Sequence, residues 1–356
     1  MTTIKTQQPI KSVCIDINWD LFWRPASPGL YTNADPRAQA RWCHELGANV
    51  MQTFCVSYNG YAWFPSETAP VNPGLTGNFL QQQVEEARRL GMRVMGYFCL
   101  GSNPLWEMTR PDGESHDLLM GRRRVEGATN WIPFTNDYLD YFCASVRDAL
   151  RKTEIDGFMI DWFNVYRGAH WLESEKRMWV ELMGEEFPAC GAPSAGAEIE
   201  FKRRQIERAW IRIRQAVQEV RPAIIWTNHP FHQKDDPVWT GHRLLREADW
   251  ILNEGPDAGF LGWLEQNIGG DTKLIQNYCG WADHSAESFR EVDQSRYGSY
   301  GFTCVNPATC LPWTVAEAEA FVRSVGNHGR FARVTADARN IEILREAYRG
   351  GLVSNK

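Results

Sequence analysis

A chain of 356 residues, 43% of them hydrophobic, is long enough for one large α/β barrel or for two smaller domains. Its net charge of −6, spread without long basic or acidic blocks, argues against nucleic acid or an anionic membrane as partner. No run approaches the roughly 18 apolar residues of a membrane span, so no membrane partner is expected.

Two further features bear on location and ligand. The N-terminus MTTIKTQQPIKS has no apolar core of the kind a secretory signal carries. The 9 Cys are odd in number and contain no CxxC, and Cys14, Cys55, Cys99, Cys279 and Cys304 fall in apolar runs, as reduced buried thiols do. Together these predict a cytoplasmic protein. The 16 Trp are many for a core alone, and indole faces stack on the C–H faces of sugars, which makes a small carbohydrate the expected partner.

In chain order, the first strand is SVCIDIN from Ser12. The segment PRAQARWCHELGA then carries helical period and leads to a second strand, NVMQTFC from Asn49. A helix over NFLQQQVEEARRLGM follows, with Leu80, Val84, Ala87 and Leu90 on one face, before strand three, RVMGYFC from Arg93. The endings ELGAN and RLGMR place Gly just past the last turn, where a left-handed cap is wanted. A helix over NDYLDYFCASVRDALRKTEI precedes strand four, GFMIDW from Gly157, and EFKRRQIERAWIRIRQAVQEVRP precedes strand five, AIIWTN from Ala223. WILNE from Trp250, KLIQNY from Lys273 and YGFTCVN from Tyr300 complete eight strands, and TVAEAEAFVRSVGNHG is helical after the last.

Eight nearly continuous apolar runs alternating with helices predict a single-domain (β/α)8 barrel over residues 1–356. A doubly wound open sheet is the alternative, but neither GxGxxG nor GxxxxGK[ST] follows the first strand. Long connections at about 100–135 and 163–198 are expected to wall the active site, the Pro/Gly/Ala-rich stretch 184–198 as a surface loop.

In such a barrel the C-terminal ends of the strands face the active site. Strand one ends in Asp16, Asn18, Trp19 and Asp20, and strand two leads into Tyr58, Asn59, Tyr61 and Trp63. Trp106 follows strand three, and Asp161 and Trp162 end strand four. The later strands end in Asn228 and His229, in Glu254, in Asn277, Tyr278, Trp281 and His284, and in Asn306 leading to Trp313. Amides, carboxylates and His hydrogen-bond sugar hydroxyls, and the aromatics supply stacking faces. All of these except Asp161, Glu254, Trp19 and Asp20 are read as substrate-binding, with Asp16 and Asp20 as competing carboxylates.

Asp161 sits at the end of an apolar strand, where an unpaired charge costs several kcal/mol unless chemistry requires it. Glycoside cleavage needs two carboxylates. Asp161 and Glu254 end strands two apart, with backbones roughly 10 Å apart in an eight-stranded barrel, and side chains can narrow that gap toward a retaining site. Asp161 is then the nucleophile and Glu254 the acid/base, with Glu67 and Glu107 as competing acids. No cofactor is called for. Two other classes compete: a metal-dependent barrel hydrolase or lyase built on His229, His232 or His284, beside Asp235 and Asp236, and a non-catalytic carbohydrate-binding barrel. HExxH is absent, and no metal site is assigned. A homo-oligomer is compatible with the loop aromatics.

The run SYNGYAWFPSETAPVNPGL (57–75), with GMRVMGYF (91–98) and IDGFMIDW (155–162), resembles the hypothetical glycosyl hydrolases of the family-six type, barrels related to the α-L-fucosidases. That resemblance implies a retaining hydrolase whose nucleophile is an Asp at the end of strand four, here Asp161. It leaves the acid/base open. The chain shows no C-terminal β-sandwich, which many fucosidase-like enzymes carry, so the sugar is read only as α-L-fucoside-like or β-galactoside-like.

Overall fold

The strands form where β-branched, aromatic and sulfur-bearing residues run together and are covered on both sides. In the computed structural model, β2 (Val50–Gln52) and β6 (Trp250–Asn253) are buried at every position, and β3 (Arg93–Cys99) at all but its first. The structure describes residues 9–17, 29–108, 132–163, 165, 171–228, 234–255, 259–280, 296–326 and 333–350. With β1 (Lys11–Asp16), β4 (Gly157–Asp161), β5 (Ile224–Asn228), β7 (Lys273–Cys279) and β8 (Gly298–Asn306), the strands pair in sequence order, all parallel. β1 also pairs with β8, from Lys11 alongside Ser299 to Asp16 alongside Cys304, and this closes the ring. The fold is the expected (β/α)8 barrel. A two-residue strand, β9 (Leu311–Pro312), adds an antiparallel pair outside it.

Parallel strands need crossovers, and the helices supply them. α1 (Pro36–Leu46) starts at Asp35, whose side chain accepts from the Arg37 N–H, and it stops at Gly47 in the left-handed region at φ 101°. α2 (Phe79–Arg89) buries Leu80, Val84 and Ala87 completely, which is the stripe its spacing predicted. α3 (Pro104–Met108) is one short turn, and α4 (Asn136–Lys152) packs its Phe142 against Phe98 of β3. The connection after β4 departs from the expected loop. It contains α5 (Glu173–Met183), whose Trp179 packs with Trp171, Phe187 and Phe201 into a cluster of its own. α6 (Ala195–Gln218) begins inside the stretch read as a surface loop, because Ser194 caps the Ala197 N–H.

The remaining helices are α7 (Arg243–Glu247), α8 (Gly259–Asn267), α9 (Val315–Val325) and α10 (Val334–Tyr348). α10 lies outside the segments read as helical from the sequence. It locks the seam of the ring: Tyr348 donates from its hydroxyl to the Ser12 carbonyl at 2.7 Å, and Lys11 Nζ reaches the Tyr348 carbonyl. No described helix is long and apolar enough to cross a membrane. All nine cysteines are free thiols, Cys190 alone being exposed.

Inside the ring, β2, β4 and β8 contribute to one layer. Tyr300 donates to Gln52 Oε1, and Gln52 Nε2 lies 2.9 Å from Met159 Sδ. Filling a barrel with layers from alternate strands is the usual arrangement. Asp161 follows Met159 by two residues, so the strand period points it inward too, one layer nearer the C-terminal mouth.

One buried acid outside the mouth has a measurable consequence. Asp337 of α10 is 3% exposed, and burial pushes its carboxyl up to about 7, against a hydrogen bond from Cys304. A raised carboxyl pKa means the native state favours the neutral form. Its support for the fold is therefore full below about pH 4 and is lost as pH rises toward 7. Asp337→Asn should raise the melting temperature by several degrees at pH 8 and leave it nearly unchanged at pH 4. Equal shifts at both pH values in a calorimetric comparison would contradict this.

Candidate active site

Three adjacent strands end at one level. β4 and β5 run in register from Gly157 alongside Ile224 to Ile160 alongside Thr227, and Asn228 of β5 lies alongside Leu252 of β6. Asp161, Asn228 and Glu254 are the residues that emerge there. Asn228 Nδ2 donates to Asp161 Oδ1 at 2.6 Å and to Glu254 Oε2 at 2.9 Å. One nitrogen at those two distances holds Asp161 Oδ1 and Glu254 Oε2, the two oxygens it binds, no more than 5.5 Å apart. A retaining glycosidase needs about 5–5.5 Å between its carboxyl groups, and an inverting one about 6.5–9.5 Å.

Asp161 accepts two more hydrogen bonds. Tyr97 of β3 donates its hydroxyl to Oδ2 at 2.7 Å, and the Trp162 N–H donates to Oδ1 at 2.9 Å. Burial pushes the Asp161 carboxyl up to about 6, while Tyr97, Trp162 and Asn228 pull the other way by binding the ionised form. The group is thus mostly charged at neutral pH despite its surroundings. Asp16 of β1 shares the same field, since its charge and that of Asp161 both help hold the buried Tyr97 and Tyr300 phenols protonated.

The backbone is strained beside Asp161. Trp162 has φ 55°, a region that bulky residues rarely occupy and that costs on the order of 1–3 kcal/mol. Its ring packs edge-on to Tyr58 at 5.3 Å. Gly101 permits this path, because a Cβ there would lie 2.6 Å from the Trp162 carbonyl oxygen and 3.0 Å from its Cβ. Gly101→Ala should therefore displace the Asp161–Trp162 turn, lowering kcat/KM at least about tenfold with the fold intact by circular dichroism. Unchanged kinetics would show that the turn does not position Asp161.

The structure sorts the other candidates. Asp16, Tyr58, Trp162 and Asn228 stand at the mouth with Asp161 and Glu254. Asn228, however, spends both amide hydrogens on the carboxylates, so its role is to tie them together. Trp63 is fully buried, packed against Tyr31, Phe54 and Phe79, and is core rather than a stacking face. Asn59 is buried and accepts from the Ser57 hydroxyl at 2.5 Å, and Tyr61 is 9% exposed in the same tight turn. Asn277 is fully buried behind the mouth. Its Nδ2 donates to the Glu254 carbonyl at 3.1 Å, so it braces the acid's backbone instead of meeting substrate. Tyr278 is the extra residue of a bulge where β7 meets β8, and it is 2% exposed.

Asn306 uses Oδ1 to accept the Ala308 N–H in a turn. Trp313 lies on Phe321, 4.9 Å between centroids, in a satellite cluster with Ala318, Val334 and Ala338. Trp106 stacks near Tyr138 at 4.7 Å and borders a cavity of about 300 Å³ that neither Asp161 nor Glu254 lines. Of the competing acids, Glu67 is exposed and paired with Lys152 at 2.8 Å, and Glu107 is buried beside Tyr138. Asn18, Trp19, Asp20, His229, His232, Trp281 and His284 lie outside the described residues. Among the described residues no group of three or more His, Cys, Asp or Glu is placed to hold a metal ion. Asp235 and Asp236, which the metal reading would recruit, accept from Trp263 Nε1 and the Val238 N–H. Tyr97 is a partner of Asp161 that the sequence did not reveal. Its only signal is the inward parity it shares with Cys99, which stands alongside Asp161.

The site is thus two carboxylates joined through one amide at the C-terminal mouth of a closed parallel barrel. Residues 35–162 match the family described as hypothetical glycosyl hydrolase 6, a stretch that ends one residue past Asp161. Among solved structures, the chain is similar to α-L-fucosidase isoenzyme 2 from Paenibacillus thiaminolyticus, at 16% identity and TM-score 0.64. That alignment covers 96% of this chain and 49% of the fucosidase, so the chain spans about half the fucosidase's length. It is also similar to the PgaB (BpsB) glycoside hydrolase domain from Bordetella bronchiseptica, at 14% identity and TM-score 0.53, covering 93% of this chain and 99% of that domain. At these identities the likeness is one of fold. No curated protein matches the sequence.

Proposed function

We propose that the protein is a retaining glycoside hydrolase in which Asp161 is the nucleophile and Glu254 the acid/base. The observation that carries this reading is the Asn228 nitrogen shared between the two carboxylates, which keeps Asp161 Oδ1 and Glu254 Oε2 within 5.5 Å of each other. That proximity favours direct attack on the anomeric carbon over activation of an interposed water. The three donors around Asp161 favour the charged form that a nucleophile needs. Trp162, half-buried beside it and backed by the buried Tyr58 ring, offers aromatic surface for a sugar face.

The substrate is a small glycoside or oligosaccharide. The fucosidase likeness makes an α-L-fucoside the first sugar to try and a β-D-galactoside the second. A panel of nitrophenyl glycosides tests the reading, with the first-formed product anomer followed by NMR. Hydrolysis of one glycoside with retained configuration is expected. Inversion, or no hydrolysis across the panel, contradicts it. The acid limb of kcat/KM should fall near pH 6, where Asp161 becomes protonated.

A further inference from the structure

The donors on Asp161 are divided unequally between its oxygens. Oδ1 accepts two, from Asn228 and from the Trp162 N–H, whereas Oδ2 accepts one, from Tyr97. Each carboxylate oxygen has two lone-pair sites, so Oδ1 is filled and Oδ2 keeps one free. Asn228 cannot turn away from Oδ1 without also releasing Glu254. We propose that Asp161 attacks through Oδ2 and that Tyr97 is a further catalytic residue whose hydroxyl chiefly speeds the second half of the reaction, the release of Asp161 from the sugar. This rests on Asp161 being the nucleophile.

The chemistry follows the charge. In the first half, Oδ2 bonds to the anomeric carbon and the glycosidic C–O bond breaks. Its electron pair goes to the leaving oxygen, which takes the proton of Glu254. The carboxylate charge vanishes into an ester, and the Tyr97 hydrogen bond weakens, because a charged acceptor binds a donor about twice as strongly as a neutral one. In the second half, Glu254 takes a proton from water and the water oxygen bonds to the anomeric carbon. The C–Oδ2 bond breaks and its pair returns to Oδ2, where the Tyr97 hydroxyl recovers its strong bond. An interaction that grows between ground state and transition state accelerates that step. Tyr97 therefore favours breakdown of the glycosyl-enzyme over its formation.

The hydroxyl stays a donor throughout, since burial first, and then the charges of Asp161, Cys99 and Asp16, hold the phenol well above its usual pKa. The titratable groups facing this corner are Cys14 and Asp16 on β1, Cys99 on β3, Glu254 after β6 and Tyr300 on β8.

The test is Tyr97→Phe, which keeps the ring against Phe54 and removes only the hydroxyl. With the dinitrophenyl glycoside of the sugar the wild type hydrolyses, the variant should release about one equivalent of dinitrophenol in a burst. A steady state about 10–100-fold slower should follow. Its kcat/KM acid limb should move above pH 6, because a donor to the ionised form is gone. No burst together with an unmoved limb overturns the proposal. A crystal structure of the wild type trapped with a 2-fluoro glycoside gives a second reading: sugar on the Asp161 oxygen beside Tyr97 is expected, and sugar on the oxygen beside Asn228 overturns it. If Asp161→Asn stays active, the nucleophile reading itself fails. If that variant is inactive while Tyr97→Phe behaves as wild type, only the role of Tyr97 falls.

Discussion

Asp161→Ala should lower kcat on an activated aryl glycoside by on the order of 10⁴-fold or more, since it removes the group proposed to form the covalent intermediate. The informative part is rescue. The variant leaves a gap lined by the Tyr97 hydroxyl, the Trp162 N–H and the Asn228 amide, three donors already aimed at an anion. Azide entering that gap would attack from the face the carboxylate used, with nothing to displace it afterwards. Sodium azide should therefore restore turnover and yield a glycosyl azide of inverted configuration. A variant that keeps wild-type activity, or one whose azide product has retained configuration, would exclude Asp161 as nucleophile.

Glu254→Ala should have an effect that depends on the leaving group. A dinitrophenolate departs without help, so formation of the glycosyl-enzyme should be little changed for that substrate. An alkyl or sugar leaving group needs the proton, and its kcat/KM should fall by on the order of 10²–10⁴-fold. Equal losses on both kinds of substrate would instead mean that Glu254 acts through structure, for example by holding Asn228 in place. Asn228 would still be fixed to Asp161 in the variant, so the nucleophile should remain ordered.

What the sequence disclosed, and what it withheld, follows from the periodicities of the barrel. All eight parallel strands lie where apolar runs predicted them, since strands covered on both faces read as continuous hydrophobic segments. α5 was hidden because its apolar residues serve a local cluster around Trp179 and not the barrel, which leaves a weaker stripe to read. Asp161 and Glu254 stood out as candidates because a carboxylate ending a buried strand contrasts with its neighbours. Asn228 and Asn277 look alike in sequence, each an amide near a strand end, yet one faces the mouth and the other braces the loop behind it. The difference lies in the bulge at Tyr278, which leaves no mark in composition. Trp63 and Trp162 show the same limit for aromatics: one fills the wall and the other stands beside Asp161 at the mouth. Tyr97 was invisible because a tyrosine within a buried strand reads as core until its hydroxyl is seen to meet a carboxylate.

The two acids are held as one unit, and the most direct measurement of that claim is covalent capture. The wild type incubated with the 2-deoxy-2-fluoro analogue of the glycoside it hydrolyses fastest, then digested and sequenced by mass spectrometry, should carry a single fluoroglycosyl group on Asp161. The same adduct should form on Glu254→Ala when the analogue bears a dinitrophenyl leaving group. Label on Asp16, Glu254 or any other carboxylate, or complete inactivation without an adduct, would contradict the account.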